Sequence, residues 1–210
     1  MATTGIALVR HEAHENNILT PDGFERARLR GKVLGRTIQI QGAYSSPLPR
    51  AKSTAESMLL GAGVHMEIIE EPRLGDFKSD QRASPDSLSK LKAKAAQKYG
   101  DDSDSSLAKC LLDMPELHPL MLARAEEGAA ALTEIAATNP NKFVIATSHG
   151  VARIEVVLRW LHGHRNAPEV LDIADKLIER GEVVLVMFDI DDKSGTVTFR
   201  ESKKLDLPMD

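Results

Sequence analysis

Four side chains in this sequence are of the types that together bind phosphate. Arg10 and His11 follow an apolar run at residues 6–9, Arg50 lies in SSPLPRA, and His149 lies in TSHG. A guanidinium carries a planar fork of donors and stays charged, which suits phosphate oxygens. Two such forks and an imidazole donor therefore predict a site for a tetrahedral dianion.

If one of the two histidines donates to the phosphate, the other is a candidate nucleophile. An imidazole can attack phosphorus to give a phosphohistidine that water then resolves, so that one difficult displacement becomes two easier ones. The arginines would hold the three equatorial oxygens through both steps. Because the leaving alkoxide needs a proton, a carboxylic acid is expected nearby. Gly150 would let the backbone approach closely, and a helix predicted to start near it would add free N–H groups.

The residues of this set follow predicted strands. Hydrophobic patterning predicts strands at residues 5–9, in a segment that ends near GAYSS, in VHMEIIEE and in KFVIATS, and a hairpin from EVVLVMFDI and TVTFRE. In an open α/β sheet, ligands bind at the carboxyl ends of the parallel strands. The four side chains can therefore converge, although Arg50 and His149 lie about 40 and about 140 residues after Arg10.

Helical patterns alternate with these strands. One helix begins after Thr20, which can cap it, and another runs from Leu48 to Leu60 with Gly61 as its end. A third spans about Leu120 to Ala137, and a fourth starts near Gly150. Strand and helix alternation predicts a three-layer α/β fold: a mostly parallel sheet with helices on both faces and an antiparallel C-terminal hairpin.

The chain is expected to form a single domain over residues 1–210. Between Pro72 and Pro119 the sequence is polar and rich in Ser, Asp and Lys. This stretch is interpreted as an insert, or cap, of short helices and loops over the active-site end of the sheet.

Four motifs, in this order, resemble the histidine phosphatase superfamily (phosphoglycerate mutase-like) and its compact phosphatase branch. They are LVRH at 8–11, LTPDGFERA at 19–27, SSPLPRAKSTAE at 45–56 and TSHGVARI at 147–154. The resemblance implies a phosphoric monoester hydrolase of the histidine acid phosphatase type that uses no metal or other cofactor. It also implies that His11 is the nucleophile and that Arg10, Arg50 and His149 form the phosphate pocket.

The acid of the family is replaced in this chain. Many members carry Glu in RLxE after the third strand, and here PRLGDF aligns Asp76 with it. Asp76 is therefore the candidate acid, with Glu12, Glu15 and Asp80 as alternatives.

Glu12 also departs from the family, which usually has Gly or Ala after the catalytic His. A carboxylate that points into the pocket would raise the pKa of the histidine or repel the substrate, whereas one that points to solvent would do neither.

The segment that follows His11 is short. Only seven residues, 12–18, precede Leu19, where mutases carry a longer segment with aromatic residues. This favours a phosphatase over a phosphoglycerate-type mutase. Asn17 aligns with a substrate-contacting Asn of the family, but the shortened loop leaves it outside the predicted site. A mutase, and a catalytically weakened phosphate-binding regulatory module, are the alternatives.

Composition limits the partners. A net charge of −4 and a pI near 6.0 provide no broad basic face for nucleic acid, and no apolar stretch is long enough to span a membrane. The single Cys110 and an N-terminus without a basic leader segment favour a cytoplasmic protein. HGHR at 162–165 is interpreted as a loop, not a metal site. The expected partner is a small phosphorylated substrate or a phosphorylated protein side chain.

Overall fold

The computed structural model describes residues 1–76, 87–150 and 153–208. Within these ranges the strands form one main sheet and one small hairpin. The strands are β1 (Ala2–Arg10), β2 (His14–Glu15), β3 (Ile18–Leu19), β4 (Ile40–Ser45), β5 (Ile69–Glu70), β6 (Phe143–Ser148), β7 (Val183–Ile190) and β8 (Val197–Leu205).

The described helices lie mainly between consecutive strands of the main sheet. Short 3₁₀ turns at Pro72–Leu74 and Pro115–Leu117 supplement them. No helix in the described ranges is long and apolar enough to cross a membrane. The α-helices are α1 (Pro21–Thr37), α2 (Pro49–Ala62), α3 (Ser87–Tyr99), α4 (Asp104–Leu112), α5 (His118–Thr138), α6 (Ile154–Leu161) and α7 (Ala167–Val170).

The main sheet has the strand order β5-β4-β6-β1-β7-β8. β5, β4, β6 and β1 are mutually parallel, whereas β7 pairs antiparallel with both β1 and β8. Arg10 pairs in register with Ser148, and Ser45 with Thr147, so three neighbouring strands end at one edge. The predicted α/β fold with its antiparallel C-terminal hairpin is confirmed.

β1 lies in the middle of the sheet. Its residues 6–9 are at most 1% exposed, as expected for a strand covered on both faces. The strand begins at Ala2, earlier than predicted, because it also pairs with β7 up to Ile190. The predicted strand VHMEIIEE is shorter than expected, since only Ile69 and Glu70 pair with β4.

Helix α1 packs closely against α2. Thr20 caps α1 as predicted, and its side chain accepts from the N–H of Gly23. A Cβ on Gly61 would lie 1.8 Å from the carbonyl oxygen of Arg28, so this glycine permits the helices to touch. The prediction that Gly61 ends α2 is therefore wrong. The helix ends at Ala62, and Gly63 caps it with a φ of 70°, which suits a glycine.

The segment predicted as an insert contains α3 and α4. Their apolar faces form a core cluster with the start of α5 and with residues near α7. Asp104, in the first turn of α4, extends from this cluster to the guanidinium of Arg10. The insert therefore reaches the edge of the sheet at which the parallel strands end.

Candidate active site

His11 is the first residue after β1, and both of its ring nitrogens have defined partners. Nε2 lies 3.1 Å from Nε of Arg50, which can only donate, so Nε2 must be the acceptor. The ring proton is thereby assigned to Nδ1, which lies 2.9 Å from the carbonyl oxygen of Glu12. The lone pair of Nε2 therefore accepts the hydrogen bond from Arg50.

The surroundings of His11 keep its imidazole neutral. Burial lowers the pKa of His11 to about 2, and the positive charges of Arg50, Arg10 and Arg180 and the neighbouring His14 act in the same direction. His14 packs edge-on against it, with ring centroids 4.7 Å apart. At neutral pH the imidazole of His11 therefore carries no charge, and its Nε2 carries no proton.

Arg50 connects the predicted site residues. It lies in the first turn of α2 and is buried at 7% exposure. While Nε of Arg50 contacts His11, Nη2 lies 3.2 Å from Nδ1 of His149 and donates to Asp76. Its Nη1 donates to the side-chain oxygen of Asn17. One guanidinium therefore joins the candidate nucleophile, the candidate acid and the second histidine.

Asn17 reaches Arg50 from a tight turn that sequence reasoning left outside the site. β2 and β3 form a hairpin in which Asn16 and Asn17 have φ values of 49° and 68°. Asparagine tolerates this left-handed region, and two such residues are typical of the two-residue turns that suit hairpin twist. The match of Asn17 to the family motif was the signal that could have identified it.

His149 follows β6 and is 2% exposed. Its Nδ1 accepts from Arg50, so its proton lies on Nε2, which is 2.8 Å from the hydroxyl oxygen of Ser46. Burial, followed by the neighbouring His11 and Arg50, lowers the pKa of His149 well below its ordinary value. The ring centroids of His149 and His11 are 5.0 Å apart.

Arg10 is held by contacts along its side chain. Nη1 donates to the carbonyl oxygen of Ile178 at 2.7 Å, and Nη2 pairs with Asp104. A Cβ on Gly150 would lie 2.4 Å from Cζ of Arg10, so Gly150 makes room for this guanidinium.

The predicted helix start near Gly150 is wrong. α6 begins at Ile154, whose N–H donates to the carbonyl oxygen of His149, so the turn after β6 must be completed before the helix starts. The helical pattern of this segment also predicts that Val151 faces the core, and this residue lies outside the described part of the chain.

Asp76 is the carboxylate that the structure brings to Arg50. Its side chain is 13% exposed. The preceding carbonyl, of Gly75, accepts from Arg124 at 2.9 Å and from Arg153 at 2.8 Å, and both arginines are buried. Two buried guanidinium groups therefore fix the backbone that carries Asp76.

The alternative acids lie elsewhere or outside the described part. Glu12 is fully buried, and its carboxylate pairs with Arg26 and Arg30 of α1. It therefore points neither into the pocket nor to solvent, the two orientations that the sequence left open. Glu15 is exposed on β2, and Asp80 lies outside the described residues.

The histidines of HGHR have partners away from this site. His162 contacts the hydroxyl of Ser202 at 2.9 Å, and His164 lies 3.6 Å from Glu169. In the described ranges no group of three or more His, Cys, Asp or Glu side chains is arranged to hold a metal ion.

Comparison with known proteins bears on the family and the fold of the chain. A family model described as the histidine phosphatase superfamily (branch 1) matches residues 3–177. A search of curated proteins finds no significant match.

Solved structures share the fold at low identity. The chain is similar to a phosphoglycerate mutase from Bacillus anthracis, with a TM-score of 0.60 and 17% identity over 95% of this chain and 92% of that chain. It is also similar to a mycobacterial glucosyl-3-phosphoglycerate phosphatase, with a TM-score of 0.56 and 16% identity over 95% and 97% of the two chains. A phosphoserine phosphatase from Entamoeba histolytica has a TM-score of 0.55 and 16% identity over 95% and 96%.

Proposed function

The chain belongs to the histidine phosphatase superfamily (branch 1), and we propose that it hydrolyses phosphate monoesters through a phosphohistidine at His11. The superfamily and its structural neighbours include phosphatases and phosphoglycerate mutases. The observation that carries the proposal is the arrangement of His11, whose proton is assigned to Nδ1 and whose Nε2 lone pair lies 3.1 Å from Nε of Arg50.

In the first step, Arg50 turns from Nε2 of His11 to the phosphate. Nε2 then attacks phosphorus while the bond from phosphorus to the ester oxygen breaks. The leaving alkoxide takes a proton from the carboxyl group of Asp76, which must have left Arg50 and bound a proton before this step. In the second step, water attacks the phosphohistidine and gives its proton to the Asp76 carboxylate. The P–N bond breaks, which releases inorganic phosphate and restores neutral His11.

The donors around His11 would hold the transferred group. Arg10 and Arg50 offer charge-assisted hydrogen bonds to the equatorial oxygens, whose negative charge spreads in the transition state. The amide of Asn17, already in contact with Arg50, lies at the same edge.

His149 needs a proton on Nδ1 to donate to phosphate. In the structure its Nδ1 accepts from Arg50 and its Nε2 contacts Ser46. A serine hydroxyl can either donate or accept, so Ser46 can support both tautomers of His149. When Arg50 turns to the phosphate, the proton of His149 can therefore reside on Nδ1.

The proposed substrates are small phosphorylated alcohols or a phosphorylated side chain. Structural neighbours are named for phosphoserine and for phosphoglycerate derivatives. Phosphoserine and 3-phosphoglyceric acid therefore form, with p-nitrophenyl phosphate, the panel of substrates for the test. The short hairpin of β2 and β3, closed by two asparagines, supports hydrolysis over mutase chemistry. The buried free thiol of Cys110 suits a reducing cytoplasm, in which we place this activity.

A phosphate-binding regulatory module is the second candidate, and one observation favours it. Asp104 and Asp76 pair with Arg10 and Arg50, so carboxylates contact both arginines that would hold phosphate. A substrate must compete with these carboxylates, which would raise its KM and so reduce hydrolysis at low substrate concentration.

The test is hydrolysis of p-nitrophenyl phosphate in EDTA by the wild type, His11→Ala and His65→Ala. His65 is exposed and serves as the matched histidine control. We expect turnover in EDTA that His65→Ala retains and His11→Ala loses by at least about 1,000-fold. A phosphoryl adduct on His11, detected by mass spectrometry after acid-free quenching, would identify the intermediate.

Three results would overturn the proposal. Activity retained in His11→Ala would exclude His11 as the nucleophile. Transfer of phosphate to a second hydroxyl in place of its release would indicate a mutase. Tungstate or phosphate binding without turnover of any panel substrate would indicate the regulatory module.

A further inference from the structure

Glu155 is a buried carboxyl group that the proposed reaction does not use. It lies in the first turn of α6 and is 2% exposed. Burial raises the pKa of Glu155 to about 7. Because an acid group away from water is costly unless it makes hydrogen bonds, its contacts should account for its presence.

The contact of Glu155 leads to the phosphate site. Its Oε1 accepts from the N–H of Ile178 at 3.0 Å, and the carbonyl oxygen of Ile178 accepts from Nη1 of Arg10 at 2.7 Å. Two hydrogen bonds through one backbone residue therefore connect Glu155 to Arg10.

The segment around Ile178 has no regular secondary structure, and the contact with Glu155 is one of the hydrogen bonds that hold it. Residues 177–182 contain only turn and irregular backbone. This segment also contacts the main chain of Arg10. The N–H of Gly181 donates to the carbonyl oxygen of Arg10 at 2.8 Å, and the N–H of Arg10 donates to the carbonyl oxygen of Glu182 at 3.2 Å. Residues 177–182 therefore contact both the main chain and the guanidinium of Arg10.

The Ile178 carbonyl determines which edge of the Arg10 guanidinium faces the pocket. Nη1 is engaged by Ile178, and Nη2 contacts the partly exposed Asp104. Nε has no hydrogen-bond partner among the described residues. Nε and Nη2 form one edge of the fork, and a phosphate that displaces Asp104 can accept from both.

We propose that Glu155 is a positioning residue for phosphate binding, because it fixes Ile178 and thereby makes Arg10 present its Nε and Nη2 edge. The inference rests on the proposed function, since it takes Arg10 as a phosphate ligand. Glu155 acts through the backbone and does not contact the phosphate itself.

The test measures binding of inorganic phosphate by calorimetry in Glu155→Leu, Glu155→Gln and a control. Leucine has no acceptor for the Ile178 N–H, whereas glutamine keeps one. We expect Glu155→Leu to weaken phosphate binding by about tenfold, as for loss of a hydrogen bond that orients a charged group, and Glu155→Gln to stay within about twofold of wild type. Val157→Ala, which shortens a buried side chain on the same helix, should lower the melting temperature but leave phosphate affinity unchanged.

A double-mutant cycle with Arg10→Ala distinguishes positioning from general destabilisation. If Glu155 acts through Arg10, Glu155→Leu causes no further loss of phosphate affinity once Arg10 is removed. If Glu155→Leu does not fold, Glu155→Met is measured in its place.

Equal phosphate affinity in Glu155→Leu and wild type would overturn the inference. So would a loss of affinity in Glu155→Gln as large as that in Glu155→Leu, and so would additive losses of affinity in the double-mutant cycle. Failure of the proposed function has a different signature: wild type binds phosphate and shows the Glu155 dependence, yet hydrolyses no ester. Wild type that binds no phosphate would refute Arg10 as a phosphate ligand and this inference with it.

Discussion

Arg50 donates from Nε to Nε2 of His11 over 3.1 Å, and this contact specifies the tautomer of the candidate nucleophile. The same guanidinium contacts His149, Asn17 and Asp76. A planar group with several donors can make these contacts at once, whereas an ammonium group on a flexible chain cannot.

Arg50→Lys should therefore reduce kcat/KM for an aryl phosphate by about 10² to 10³, the range observed when a preorganised donor to a developing charge is lost. The control is Arg28→Lys, because Arg28 is partly exposed on α1 and pairs with Glu25. Steady-state kinetics at one pH give the comparison. A loss below about threefold would mean that positive charge alone suffices at this position.

Asp104→Asn should lower KM for phosphate esters. Asp104 pairs with Nη2 of Arg10, so its carboxylate competes with the substrate for that donor. We expect KM, and the inhibition constant of inorganic phosphate, to fall by about three- to tenfold, with little change in kcat. The effect should shrink at high salt, because Asp104 is partly exposed.

Asp101→Asn is the matched control for Asp104, since the Asp101 carboxylate bonds to Ser103 and Ser106. An increase in KM for Asp104→Asn would show instead that Asp104 holds Arg10 in its binding orientation.

Gly150→Ala should weaken phosphate binding. The added Cβ would lie 2.4 Å from both Cζ and Nε of Arg10, so the guanidinium must move from its position against the backbone. We expect a loss of phosphate affinity of about tenfold, measured by calorimetry. Gly35→Ala is the control, because Gly35 lies in a crowded position between α1 and α2. This variant should be less stable but should bind phosphate with unchanged affinity. Unchanged affinity in Gly150→Ala would mean that Arg10 adapts at no cost.

Glu12→Gly should reduce stability without raising activity. Glu12 is fully buried and pairs with Arg26 and Arg30, so its removal leaves positive charge without its partner. Breaking a buried ion pair typically costs about 3 to 5 kcal/mol of unfolding free energy, which urea denaturation can measure. The double variant with Glu12→Gly and Arg30→Met should recover part of the lost unfolding free energy. Increased kcat in Glu12→Gly would show that Glu12 restrains the nucleophile after all.

Stability should decline with acid because His11 is buried in neutral form. The pKa of His11 is lowered to about 2, below the value near 6.5 in the unfolded chain. The unfolded chain therefore binds the proton first, so this contribution is complete above pH 6.5 and is lost as the pH falls below it. Between pH 7.5 and pH 5, wild type should lose about 2 kcal/mol more unfolding free energy than His11→Gln.

Urea denaturation at both pH values gives this difference. His65→Gln is the control, because an exposed histidine should leave the pH dependence of wild type intact. If wild type and His11→Gln lose stability equally, His11 is not held neutral in the folded protein.

Local patterns in the sequence determined the elements and the edge of the sheet where the chemistry would lie. The apolar run before Arg10, the cap at Thr20 and the helix predicted to begin at Leu48 depend on residues close together in the chain, and all three are found in the structure. The convergence of Arg10, Arg50 and His149 followed from one further rule, that parallel strands end at a common edge.

Only the tertiary structure decided contacts between elements that are distant along the chain. Asp104 reaches Arg10 across 94 residues, and Glu155 reaches Arg10 through the backbone of Ile178. Gly61 resembled a helix end because local sequence cannot show that the Arg28 carbonyl lies against it. Glu12 could point in any direction until α1 supplied its arginines. Such contacts depend on how helices and loops pack together, whereas strand and helix periodicity depends on neighbouring residues.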